Sequence, residues 1–187
     1  MIKIFSFDKR EILDLSISVL ILTLIFSFEG LHFNPNLLIT SFLAVGTAYL
    51  IHELSHKFVA IKLGYAARFR LYLPSTILSL IIVFTGVKLA ALGWVEVQAY
   101  KFKNWLYRRL KFSVEDEGKI AIAGPLSNII LGYIFLLLGL DFFRMVNAWI
   151  AFFNLLPIPP LDGSKVLHWK FGGWAFFVIL SMILLMV

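Results

Sequence analysis

The chain predicts an all-α, polytopic membrane protein, and three observations predict it. Hydrophobic residues fill 60% of its 187 positions, with mean hydropathy +0.90, well above what a soluble domain carries. Six apolar runs recur, at 12–28, 37–51, 71–92, 120–140, 142–156 and 172–187. Several reach or approach the ~20 residues that a helix needs to cross a hydrocarbon core of ~30 Å. None of the runs shows the alternation of a membrane β-barrel, and only a helix satisfies its backbone groups within one segment. The expectation is a single domain, 1–187, with about five to six transmembrane segments.

The first run follows Lys3, Lys9 and Arg10, as in a signal peptide, but no small-residue cleavage site follows Phe28. It reads as a retained span whose N-terminus lies on the cytoplasmic side. The next loop, 29–36, holds no Lys or Arg and suits the outer side. The second run returns and ends in Lys57, Lys62, Arg68 and Arg70. A single crossing by 71–92 would put Lys101, Lys103, Arg108, Arg109 and Lys111 outside, against the positive-inside rule. A re-entrant segment or short hairpin at 71–98 avoids this, with Gly86 or Gly93 as turning point. Within it, Trp94-Val95-Glu96-Val97-Gln98 alternates apolar and polar residues and reads as a short strand.

Residues 101–119 mix cations with Trp105 and Tyr107, a composition suited to an interfacial helix on anionic headgroups. Glu115, Asp116 and Glu117 then stand where acids favour a helix start. Gly124-Pro125 reads as the beginning of a span, because proline suits the first helical turn. The short link at Asp141 forces an antiparallel helix pair. Lys165 is expected to snorkel to the interface, and His168 to lie there too.

The net charge of +6 sits at the ends of these runs, so it points to the lipid bilayer and not to nucleic acid. The absence of cysteine excludes a disulfide framework and a thiolate zinc site. The protein is expected to be integral and multi-pass in the cell (cytoplasmic) membrane; its oligomeric state stays open.

The chemistry is concentrated in His52-Glu53-Leu54-Ser55-His56, inside the otherwise apolar stretch 37–63. Two histidines four apart share one helix face and can reach one Zn²⁺, and the glutamate between them is placed to take a proton from water there. Such groups are costly in lipid unless paired or ligating a metal. A catalytic zinc site usually takes three protein ligands and one water. For the third, the candidates are Asp162, Asp141, His168, Glu96 and His32. Asp162 stands out, because the preceding prolines end a helix and Gly163 closes a turn that can aim it back at the bundle.

His52-Glu53-x-x-His56, Gly124-Pro125-Leu126-Ser127-Asn128 and Asn154-x-x-Pro157-x-x-x-Leu161-Asp162-Gly163 together resemble the site-2 protease family of intramembrane zinc metalloproteases. The resemblance covers the core, roughly 37–170. It implies that His52, His56 and Asp162 bind one Zn²⁺ per chain, that Glu53 is the general base, and that Asn154 holds substrate or the developing oxyanion. Asn128 is a weaker substrate-binding candidate, read mainly as packing or support. The implied substrates are transmembrane proteins cut in or near a membrane segment, with the active site toward the cytoplasm. A re-entrant element after the zinc helix is likewise a family feature. PDZ and nucleotide-binding extensions, which some members carry, have no counterpart in this sequence. The alternatives are a different membrane zincin completed by Glu96, Glu115 or Glu117, a non-catalytic relative that binds membrane proteins, and a transporter.

Overall fold

A computed structural model describes residues 6–89, 92–98, 100–103, 106–109 and 112–187. Helix α1 (Lys9–Phe26) starts where the Asp8 carboxylate accepts the Glu11 backbone N–H at 2.6 Å, a side-chain N-cap. A two-residue pairing, β1 (Phe28–Glu29) with β2 (His32–Phe33), reverses the chain at Gly30, whose φ of 60° suits glycine. A short 3₁₀ turn, Pro35–Leu37, opens α2 (Leu38–Lys62), which ends at Gly64 in the left-handed region.

Strand β3 (Ala66–Leu71) then leads into α3 (Leu73–Ile82) and a 3₁₀ turn that closes at Gly86, φ 85°. Strand β4 (Gly93–Gln98) returns antiparallel to β3, with Leu71 opposite Gly93 and Ala66 opposite Gln98. Strands β3 and β4 thus lie side by side with α3 between them in sequence, and the expected strand Trp94–Gln98 lies within β4.

Strands β5 (Tyr100–Lys103) and β6 (Leu106–Arg109) pair antiparallel. This corrects the expectation of an interfacial helix over 101–119. Tyr100-Lys101-Phe102-Lys103 repeats with period two, a strand pattern that the basic and aromatic composition concealed. The all-α expectation holds for most of the chain and is amended by these three short strand pairs.

Helix α4 (Val114–Leu137) is capped by Ser113, which accepts the Asp116 backbone N–H at 3.0 Å. Pro125 lies inside this helix, not at its start as expected. The missing N–H leaves the Ala121 carbonyl without its usual donor and loosens the helix there. The chain turns at Gly139 and continues as α5 (Asp141–Asn154), then α6 (Asp162–Trp169) and α7 (Phe171–Met186). Among the described residues, two helical stretches, Pro35–Lys62 and Val114–Leu137, are each long and apolar enough to cross a membrane.

Helix α4 is the hub, packed along α2, α5 and α6. Small residues let α2 sit close to its neighbours: Ala44 and Ala48 are fully buried beside Val45, Leu22 and Ile25. The outward faces are apolar. Ile39, Phe42, Leu137, Phe176 and Ile179 are all exposed.

Charged contacts tie α1 to the rest. The Lys57 ammonium, buried on α2, donates to Glu11 Oε1 at 2.7 Å, to Oε2 at 2.8 Å and to the Ser6 carbonyl at 2.9 Å. Glu11 also accepts the Phe69 backbone N–H of β3 at 3.0 Å. Lys57, which reads from sequence as a basic flank of a span, is instead half of a buried ion pair. Nearby, the Arg70 guanidinium donates to Asp8 at 3.0 Å and holds that carboxyl down at about 2.

Candidate metal centre

The 3.6-residue period of α2 sets His52, Glu53 and His56 on one inward face, and all three side chains are buried. The two Nε2 atoms are 3.0 Å apart. Asp162, the first residue of α6, puts Oδ2 3.4 Å from His52 Nε2 and 3.1 Å from His56 Nε2. A metal ion ~2.0–2.2 Å from three tetrahedral ligand atoms holds them about 3.3 Å apart, so this triangle has the right size for zinc. Among the described residues, these are the three that could together hold a metal ion.

The partners of the outer ring nitrogens support the same reading. His56 Nδ1 lies 2.7 Å from the Ile120 carbonyl oxygen, which can only accept, so Nδ1–H donates to it. His52 Nδ1 lies 2.6 Å from Asn128 Oδ1 and donates to that amide oxygen. This leaves both Nε2 atoms on the side of Asp162. Imidazoles held through their outer nitrogen by a carbonyl or amide are what metal ligation requires. The Ile120 carbonyl belongs to the stretch of α4 just before Pro125.

Two glycines make the convergence possible. A Cβ on Gly124 would run into Nε2 of His52 and of His56, so α4 can approach the histidines only without a side chain there. A Cβ on Gly163 would strike the Leu155 carbonyl, so glycine lets α6 begin hard against the end of α5. Gly124→Ala is accordingly expected to weaken zinc binding by at least about tenfold, on the scale of a disturbed ligand support. Isothermal titration of the metal-free protein checks this, and Gly46→Ala, which meets open space, is the control that keeps its affinity.

The triangle opens on a cavity of about 630 Å³ lined by His52, Glu53, His56, Asp162 and Asn154, with β4 along one side. Glu53 Oε2 is buried and has no hydrogen-bond partner among the described residues, a position that suits water held beside the metal. Asn154 donates its amide N–H to the Ile150 carbonyl at 2.9 Å. Asn128 lies elsewhere: it is fully buried behind His52, away from the cavity. Of the remaining third-ligand candidates, Glu96 sits on the cavity wall and is exposed, while Asp141 and His32 are exposed at other points of the fold. His168 is occupied with the Ser164 carbonyl at 2.6 Å. Lys165 does not point away to an interface; it lines the cavity, 3.8 Å from Asp162 Oδ1.

Sequence reasoning missed the Ile120 carbonyl and Asn147. A backbone acceptor leaves no trace in residue types, but an asparagine within an apolar helix is a visible signal.

Over 186 residues the chain is 40% identical to "Putative zinc metalloprotease MJ0611" of Methanocaldococcus jannaschii, a match covering 92% of this chain and 91% of that one. The chain belongs to this zinc metalloprotease family. A Bacillus subtilis relative, "Putative zinc metalloprotease YwhC", is 30% identical over 175 residues, 76% of this chain and 72% of its own. "Zinc metalloprotease MJ0392" of M. jannaschii is 26% identical over 139 residues, 68% of this chain and 33% of its own. No family model and no solved structure matches. For a zinc metalloprotease, two imidazoles, one carboxylate and a buried glutamate on one cavity form a coherent set of groups.

Proposed function

We propose that this chain is an intramembrane zinc endopeptidase of the site-2 protease type. It would cut peptide bonds in or near transmembrane segments of other proteins. The observation that carries the reading is the triangle of His52, His56 and Asp162 beside Glu53, on a helix whose other faces are apolar and exposed. Asp162, and not Glu96, Glu115 or Glu117, stands at the histidine pair, which favours this type over other membrane zincins. In this reading five or six segments cross the bilayer, and 71–98 enters and returns on one side. The N-terminus and the cavity face the cytoplasm.

His52, His56 and Asp162 would hold the zinc, which when bound supplies a Lewis acid that lowers the pKa of water to about 7. Glu53 takes the proton of the attacking water at its carboxylate and returns it to the amine nitrogen as the peptide bond breaks. Asn154, on the cavity wall, can steady the substrate chain or the oxygen that gains charge. The substrate helix must unwind locally, since its peptide groups are otherwise tied up in their own hydrogen bonds.

The test combines metal content with cleavage of a labelled transmembrane segment in detergent. Wild type is expected to hold about one zinc per chain and cut the segment, and Asp162→Ala to lose metal and cleavage together. Full zinc retention in Asp162→Ala would remove the third ligand. A zinc-loaded wild type that cuts soluble peptides but no membrane segment would overturn the intramembrane assignment.

A further inference from the structure

Behind His52 a chain of side-chain amides crosses the helix layer, outside the cavity. Asn147 of α5 and Asn128 of α4 are both fully buried. Asn147 Nδ2 donates to the Phe143 carbonyl at 2.9 Å, and Asn128 Nδ2 donates to Asn147 Oδ1 and to the Ala48 carbonyl, each at 3.0 Å. Asn128 Oδ1 then accepts from His52 Nδ1 at 2.6 Å.

The direction of this chain is not a free choice. A carbonyl can only accept, so Phe143 fixes which end of Asn147 is nitrogen, and Ala48 does the same for Asn128. Were Asn128 reversed, its oxygen would face two other oxygens and its NH₂ would face His52. The ring would then have to accept at Nδ1 and carry its proton on Nε2, where the metal ion should bind.

We infer that Asn147 is a positioning residue: through Asn128 it holds His52 with Nδ1–H donating to the amide and Nε2 directed at Asp162. The inference rests on the metal-site reading above. Asn147 makes its contribution from a third helix, by giving the second N–H of Asn128 an acceptor. Without it only the Ala48 carbonyl resists reversal of the amide.

Two measurements test this. The first is zinc affinity by chelator competition on purified full-length protein, with thermal unfolding recorded alongside. Asn128→Leu removes the contact to His52 and is expected to weaken binding about 10–100-fold. Asn147→Leu is expected to weaken it by a smaller factor, about 3–10-fold, because Asn128 keeps one anchor. Asn147→Asp, whose neutral form offers the same acceptor and an O–H donor, is expected to restore it. A folded Asn147→Leu with unchanged affinity overturns the inference. The second measurement needs no variant and decides the matter if Asn147→Leu does not fold. In ¹⁵N spectra of histidine-labelled, metal-free wild type, His52 is expected with a proton on Nδ1, and a bare Nδ1 with the proton on Nε2 overturns the inference. If wild type binds no zinc, the metal-site reading falls, while the ring spectrum still reports on the relay.

Discussion

Glu53→Gln is expected to leave zinc bound at the wild-type level and to slow peptide cleavage by about 10²–10⁴-fold. That factor corresponds to roughly 3–5 kcal/mol of barrier. Glutamine has nearly the shape of glutamate, so it fills the same buried position on α2 without a cavity. It cannot take a proton from water, and it is not one of the three groups in the triangle. Metal analysis and a cleavage time course on one preparation separate the two effects. Retained zinc with lost cleavage assigns Glu53 to proton transfer. Cleavage at the wild-type rate would remove it from the mechanism, and loss of zinc would make it a ligand or a support of one.

Glu11→Ala is expected to destabilise the fold by about 3–5 kcal/mol, the usual cost of removing one partner of a buried ion pair. Lys57 and Glu11 are both almost inaccessible to solvent, and their head groups meet at 2.7 and 2.8 Å. Removing the carboxylate takes away the negative charge that meets this ammonium, which keeps the Ser6 carbonyl and the Phe7 ring among its contacts. The same carboxylate holds the Phe69 N–H, so β3 loosens as well. Combining Glu11→Ala with Lys57→Met should recover much of the loss, since replacing both charges by apolar atoms is often neutral. Thermal unfolding of the two variants in detergent checks this. A single variant that unfolds like wild type would mean that water reaches Lys57. Because Lys57 directly follows His56, the less stable variant is also expected to bind zinc more weakly.

The histidine pair and Glu53 were legible because i, i+4 spacing on a helix is local and needs no knowledge of the fold. Asp162 was legible for a different reason: the proline-rich turn and Gly163 mark a place where a carboxylate can be aimed inward. The strand at 94–98 was legible from its alternation of apolar and polar residues. Other readings failed because residue type does not report surroundings. Lys57 has the composition of an interfacial flank, yet an acid 46 positions earlier buries it. Pro125 carries a helix-start signal, and packing by α2, α5 and α6 retains it in mid-helix. Residues 100–103 hid a two-residue period under a basic, aromatic composition.

Local pattern was enough to establish an apolar, mainly helical chain, a pair of ligand-type histidines with a glutamate between them, and an aspartate in a turn able to join them. All of these depend on neighbours within a few positions. Packing in three dimensions brings Asp162 Oδ2 within 3.4 Å of both histidines and sets an oxygen acceptor against each Nδ1. It also decided that glycine is required at 124 and that Asn128 supports His52 and does not line the cavity. These depend on which backbone carbonyls and amides from three helices meet behind the rings. Backbone acceptors look the same at every position of a sequence, and only packing selects the few that a buried imidazole can use.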